Sequence, residues 1–256
     1  MKRYIAICLA IGLVLALTMS AFAGSLPGSG VQGTSHDLSS TGPKPSYGAG
    51  ETRICIFCHT PHFAASAGIA ADAALGIGTN ITYYPLWNHD IRLVTYVSYT
   101  NSSLGDTPTD INHQLTADLS SGPGGVSRLC LSCHDGAIAV NAYGHLGGGA
   151  NPTQSAGTNF INNSYRIGGA SNNDLSNHHP IGFNYAAVQG QDDEIQDPGN
   201  TFINSTRGVT INSVLWNGKV ECTSCHDVHN SKNDGPKFLW VDDGVQSALC
   251  LSCHLK

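Results

Sequence analysis

The chain has 256 residues and a formal charge of −6, with only 12% charged and 41% hydrophobic residues. The acidic balance excludes a nucleic-acid partner, which needs a basic face. Gly, Asn and Ser together supply 74 residues; they favour turns and caps over helix interiors, which excludes a coiled coil and predicts a loop-rich chain.

In chain order, residues 1–23 read as an export signal. Lys2 and Arg3 precede an apolar run over residues 4–19, and Ala21-Phe22-Ala23 forms a small-residue cleavage site. Cleavage would remove Cys8, Met1 and Met19 and leave eight cysteines and no methionine. No later segment is apolar for the roughly 18 residues a spanning helix needs. The mature chain is therefore expected outside the cytoplasm, as a single domain over 24–256 with no membrane span. Residues 24–50 read as a flexible Gly/Ser/Pro arm that carries His36. Residues 91–99 alternate well enough for one strand, and Gly-rich stretches at 144–149 and 167–170 read as loops.

The eight mature cysteines fall in four copies of one pattern, each with His after the second Cys. They are Cys55-x-x-Cys58-His59 (motif 1), Cys130-x-x-Cys133-His134 (motif 2), Cys222-x-x-Cys225-His226 (motif 3) and Cys250-x-x-Cys253-His254 (motif 4). This is the c-type haem attachment spacing. Two thiols one turn apart add to the two vinyl groups on one porphyrin edge, and the following imidazole meets the iron. Disulfides or zinc ribbons would use the cysteines but leave the histidines unexplained. With 12 His in 256 residues, four such coincidences have a chance of about five in a million. The expectation is four covalently attached haem c groups.

Eight further histidines compete for the opposite face of each iron. With no methionine left, His/Met ligation is excluded and bis-histidine ligation follows. Motifs 1 and 3 continue as C-H-x-x-H, which adds His62 and His229. Neither can return to its own haem, so each is expected to cross to a neighbouring one, with a close haem pair in each half. His36 and His179 precede the first motif of each half, with His178 as the rival of His179. His89, His113 and His145 are expected to be structural or exposed. Trp87, Trp216 and Trp240 pack on haem edges or in an ordinary core; Asp192-Asp193-Glu194 and Asp242-Asp243 read as solvated acidic faces rather than calcium sites.

The stretches S-H-D-L-S at 35–39, C-I-F-C-H-T-P-H at 55–62, P-L-W-N at 85–88, L-C-L-S-C-H-D-G at 129–136, H-P-I-G-F at 179–183, C-T-S-C-H-D-V-H at 222–229 and L-C-L-S-C-H-x-K at 249–256 resemble one family. These are the extracellular tetrahaem cytochromes that polymerise into filaments, of the outer-membrane cytochrome E type. The pattern spans nearly the whole mature chain, and the flanks carry more specificity than the C-x-x-C-H units. Val228 departs from the Pro common in that family.

The resemblance implies a multihaem cytochrome fold, mostly irregular with short helices and few strands. It implies a core of four stacked haems, bis-His ligation with His36, His62, His179 and His229 as distal ligands, and a continuous haem stack through a polymer. The partners implied are further copies of the chain, joined head to tail, and redox cytochromes or extracellular electron acceptors. Three functions are in view: a conducting filament subunit, a soluble periplasmic shuttle, and a multihaem reductase. A reductase needs an iron with an open distal position, so electron transfer without bond chemistry is the expectation. Eighteen residues lie between His36 and Cys55, enough to span roughly 60 Å when extended. The arm is therefore a candidate to donate His36 to the next subunit.

Overall fold

The computed structural model describes residues 30–48, 50–60, 86–89, 94–99, 125–143, 159–200, 202, 208–231, 237–241 and 247–255. Within these the chain is mostly loop, as its composition predicts. Five short helices occur: α1 (Pro45–Gly48), α2 (Gly125–His134), α3 (Tyr185–Gln189), α4 (Ile211–Val214) and α5 (Ala248–Leu251). Three 3-10 turns join them, at Ile54–Phe57, Asn163–Tyr165 and Cys222–Ser224.

The sheet is two residues wide. β1 (Val97–Ser98) pairs in parallel with β2 (Asp174–Leu175), in the register Val97 with Asp174 and Ser98 with Leu175. The longer strand expected over 91–99 reduces to β1 because β2 is short. Asn172 enters it at φ 59°, and the Asp174 side chain leaves it by accepting the Ser176 N–H and hydroxyl at 3.0 and 2.6 Å. An Asx turn of this kind ends the pairing. Residues 91–93, the leader over 1–23 and the Gly-rich stretch at 144–149 lie outside the described residues.

An ordinary apolar core exists among the described residues. Phe183, Tyr185, Val188, Ile195, Phe202, Ile211, Val214, Val220, Val241 and Ala248 form one buried cluster, with Trp240 against it. The cluster gathers α3, α4 and α5 around motifs 3 and 4. A smaller one joins Tyr96, Leu131 and Leu175 beside motif 2. Thr210 caps α4 through the Ser213 N–H, and Asn184 caps α3 through the Ala187 N–H, so two of the helices that frame the larger core begin on satisfied ends.

From residue 30 the described part of the arm is tied to the rest of the chain. Asp37 and Ser39 are fully buried. Asp37 accepts the N–H of Gly33 and the hydroxyl of Ser39. The Gly30 carbonyl accepts from Asn230 Nδ2 at 2.9 Å, and a Cβ at Gly30 would collide with the Asn230 carbonyl. Glycine is required there for close approach rather than for flexibility. Short polar side chains that close local turns can order a segment that lacks apolar periodicity.

Candidate haem-attachment sites

Three of the four motifs share one backbone arrangement. Each motif folds as a tight turn in which the His N–H returns to the first Cys carbonyl: His59 to Cys55 at 2.8 Å, His226 to Cys222 at 3.1 Å and His254 to Cys250 at 2.9 Å. A distant segment then clips each turn by two hydrogen bonds. At motif 1, Thr60 N–H donates to Leu86 O and Asn88 N–H to Cys58 O, both at 3.0 Å. At motif 3, Asp227 N–H donates to Phe238 O at 2.6 Å and Trp240 N–H to Cys225 O at 3.0 Å. At motif 4, Leu255 N–H donates to Glu194 O at 2.6 Å and Gln196 N–H to Cys253 O at 2.9 Å. The motif histidines thereby face Trp87, Leu239 and Ile195 in antiparallel bridges.

Motif 2 is built differently. It ends the ten-residue helix α2, whose Leu131 is 0% exposed. Gly136, at φ +77°, stops the helix, and a Cβ there would run into the Arg166 side chain. The His134 carbonyl accepts from the Ile167 N–H at 2.8 Å.

The imidazoles are held by their inner nitrogens. Nδ1 of His134 donates to Tyr165 O at 3.0 Å, Nδ1 of His226 to Lys237 O at 2.8 Å and Nδ1 of His179 to Pro180 O at 2.9 Å. A carbonyl partner fixes the proton on Nδ1 and leaves the Nε2 lone pair for a metal.

The histidines come together in three pairs, each joining one motif His to one His outside the C-x-x-C-H units. Ring centroids are 6.0 Å apart for His36 and His134, 6.1 Å for His59 and His229, and 6.3 Å for His179 and His254. A metal–imidazole bond is roughly 2.0–2.1 Å and a ring centroid lies about 1.1 Å behind its nitrogen, so two axial imidazoles on one metal have centroids about 6.2–6.4 Å apart. The pairs match that spacing, and their interplanar angles of 59°, 24° and 72° are open to rings that share an axis. The donor set fits haem iron.

Burial lowers the His36 pKa to about 4, with His134 adding to the shift, and burial likewise lowers that of His134. Both are therefore neutral near pH 7, the form that ligates.

His36 faces His134 of its own chain. His229 of motif 3 faces His59 of motif 1, so this contact crosses between the halves instead of closing a pair within one. His179, rather than His178, meets His254, although both are exposed. His89 is fully buried and structural, with Nε2 3.1 Å from Ala139 O and 3.4 Å from Cys133 Sγ. His62, His113, His145 and Asp242-Asp243 lie outside the described residues.

Burial and neighbouring thiols shift most of the cysteines. Burial pushes Cys58 up to about 12, with Cys133 and Cys55 adding to it. Cys130 and Cys222 hydrogen-bond to each other, which raises the first and lowers the second. Burial pushes Cys225 up to about 12, with Cys253, Cys222 and Cys250 contributing. Cys133 is raised to about 12 and Cys253 to about 11, both first by burial. The two outermost thiols, Cys55 and Cys250, are the exposed ones.

The acids that hold these turns escaped the sequence reasoning. Asp37, Asp135 and Asp227 are buried, and each follows a paired or motif histidine. Asp135 accepts the Tyr96 hydroxyl at 2.8 Å and the Ala137 N–H at 2.7 Å. Asp227 accepts the N–H groups of His229 and Ser231. The repeated His-Asp dipeptide was the available signal. Of the tryptophans, Trp87 stands edge-on to His59, with centroids 5.9 Å apart, and Trp240 donates from Nε1 to Thr223 O at 2.8 Å. Asp192 accepts the Glu194 N–H at 2.9 Å, a local turn.

Residues 216–256 match the doubled CXXCH motif family, a stretch that contains motifs 3 and 4. No curated protein matches the chain. The doubled motif points to a multihaem c-type cytochrome, with covalently bound haem c and a role in electron transfer. Proteins of this type are typically exported, and no helix among the described residues is long and apolar enough to cross a membrane.

Proposed function

We propose that the chain is a tetrahaem subunit of an extracellular electron-conducting filament. Its four motifs each attach one haem c, and the axial pairs are His59/His229, His134/His36, His254/His179 and His226/His62. The last pair follows by exchange: if motif 3 lends His229 to motif 1, the equivalent His62 of motif 1 is left for motif 3. The bound group supplies a one-electron iron couple, and bis-His ligation keeps its potential below that of His/Met sites. The chain fixes the imidazoles of His134, His179 and His226 through backbone carbonyls, leaves no coordination position open, and sets the distance between neighbouring groups.

The observation that carries the proposal is the three histidine pairs near axial-ligand spacing, in a chain whose motifs 1 and 4 each present an exposed thiol, Cys55 and Cys250. Two exposed motifs on one subunit suit a head-to-tail contact, which does not close on itself and builds a filament. The paired histidines stand against a reductase, since three motif imidazoles already have a partner.

A soluble periplasmic shuttle is the second reading. It is favoured by His36, which completes a pair within one chain and so needs no neighbour. Electron microscopy of culture supernatant, with haem quantitation and a ferric spectrum, separates the three. Filaments with four low-spin haems per chain support the proposal. Monomers with four low-spin haems indicate the shuttle, and a high-spin haem indicates the reductase.

A further inference from the structure

Among the described buried acids, Glu221 is the one that does not follow a histidine. It is 1% exposed and immediately precedes Cys222. Its carboxylate accepts the hydroxyl proton of Ser127, a residue of α2, while its backbone N–H donates to Ser224 Oγ at 3.0 Å and its carbonyl accepts the Ser224 N–H at 2.9 Å. Ser127 Oγ accepts the Cys222 N–H at 2.9 Å. Beside this network the Cys130 and Cys222 thiols touch. Glu221 therefore sits where the helix of motif 2 meets the turn of motif 3. The Cys222 N–H points at the Ser127 oxygen, so the single Ser127 proton is free to go to Glu221. With its only proton given to Glu221, Ser127 marks that carboxylate oxygen as an acceptor.

We propose that Glu221 sets the potentials of the two haems at motifs 2 and 3, its fixed negative charge favouring the ferric form of both. The inference deepens the four-haem proposal and rests on it. Oxidation adds one positive charge at the iron, which a nearby anion stabilises. In a medium of effective dielectric about 20, a unit charge about 12 Å away shifts a one-electron equilibrium about tenfold. Glu221 adjoins one attachment cysteine, and its partner Ser127 lies three residues before the other. Motifs 1 and 4 contribute no residue to this network, so the charge separates an inner pair of haems from an outer pair.

The experiment is a spectroelectrochemical titration of the full haem-loaded chain. Glu221→Gln keeps the shape and removes the charge. It is expected to retain four low-spin haems and to raise two of the four midpoint potentials by a tenfold shift each, about 59 mV. Ser127→Ala removes one donor and keeps the charge, so it leaves the pair low. Four unmoved potentials in Glu221→Gln, or a uniform rise of all four, overturn the inference. If Glu221→Gln fails to fold, wild-type titration resolved haem by haem with paramagnetic NMR decides. The haems at motifs 2 and 3 must oxidise first, and their oxidising last overturns the inference. A wild-type chain with fewer than four haems, or with a high-spin one, counts instead against the four-haem proposal and is visible before any variant is made.

Discussion

Motif 2 and the other three motifs solve one problem by different means. Motifs 1, 3 and 4 are tight turns held by main-chain hydrogen bonds from segments at Leu86–Asn88, Phe238–Trp240 and Glu194–Gln196. Motif 2 is held by side-chain packing on a helix, with Leu131, Tyr96 and Leu175 in contact. A backbone clip tolerates almost any side chain, so its clipping residues are as unlike as Leu, Phe and Glu. A packed helix does not, and its sensitivity concentrates in a few apolar residues. The thiols of the two kinds meet at Cys130 and Cys222, where Glu221 and Ser127 join helix to turn.

The largest expected effect is on the packed side. Leu131→Ala empties a site with 0% exposure and should cost about 2–5 kcal/mol. Thermal unfolding of the variant measures this. If Leu131→Ala costs less than about 1 kcal/mol, the contrast between packed and clipped motifs fails.

Next is the contact through which the region after motif 3 serves motif 2. Gly30→Ala drives a methyl into the Asn230 carbonyl, and overpacking of this kind costs about 1–3 kcal/mol. The arm then lifts and takes His36 from His134. In the haem-loaded chain one low-spin signal should turn high-spin while all four haems stay attached, since thioether attachment does not use His36. An unchanged spectrum would place His36 off the iron.

A clip is tested by Gln196→Pro, which removes the N–H that Cys253 O accepts. Loss of one such bond costs about 1 kcal/mol. The change should broaden or shift the spectrum of the motif 4 haem alone. A change at motif 2 instead would show that the clips do not act locally.

The sequence made the chemistry legible and left the geometry hidden, for a physical reason. Covalent attachment demands a fixed local spacing, so the four C-x-x-C-H units stand in plain view. His36, His179 and His229 were also separable, because each lies outside a motif. Which histidine faces which could not be read, because pairing depends on how distant segments pack. His229 meeting His59 across the chain is the plainest case. The clips were hidden too. Leu86 follows His59 by 27 residues, Phe238 follows His226 by 12, and Glu194 precedes His254 by 60, so no period announces them. The buried cluster around α3, α4 and α5 was missed because its residues are scattered among Gly, Asn and Ser, without helical or strand alternation.

The smallest effect concerns charge at the threshold of motif 1, and it contrasts with the buried charge at motif 3. Glu51 accepts from Arg53 Nε at 2.9 Å and from the Arg53 backbone N–H at 2.8 Å, while its carbonyl accepts the Ser40 N–H of the arm at 2.6 Å. The Arg53 side chain holds the Glu51 carboxyl down to about 2. A depressed carboxylate stabilises the fold above its unfolded value of 4.5, and this contribution is lost as pH falls from there through about 2, because the unfolded chain takes up the proton first. The Arg53 side chain is 71% exposed, so solvent and salt screen the pair and its worth is about 0–1 kcal/mol. Glu51→Gln should therefore lower stability slightly at pH 7 and match the wild type near pH 2. At neutral pH and high salt the gap should narrow as well. A gap that survives both acid and salt would mean that Glu51 acts through packing and not through charge. The exposed brace and the buried Glu221 would then no longer differ in kind.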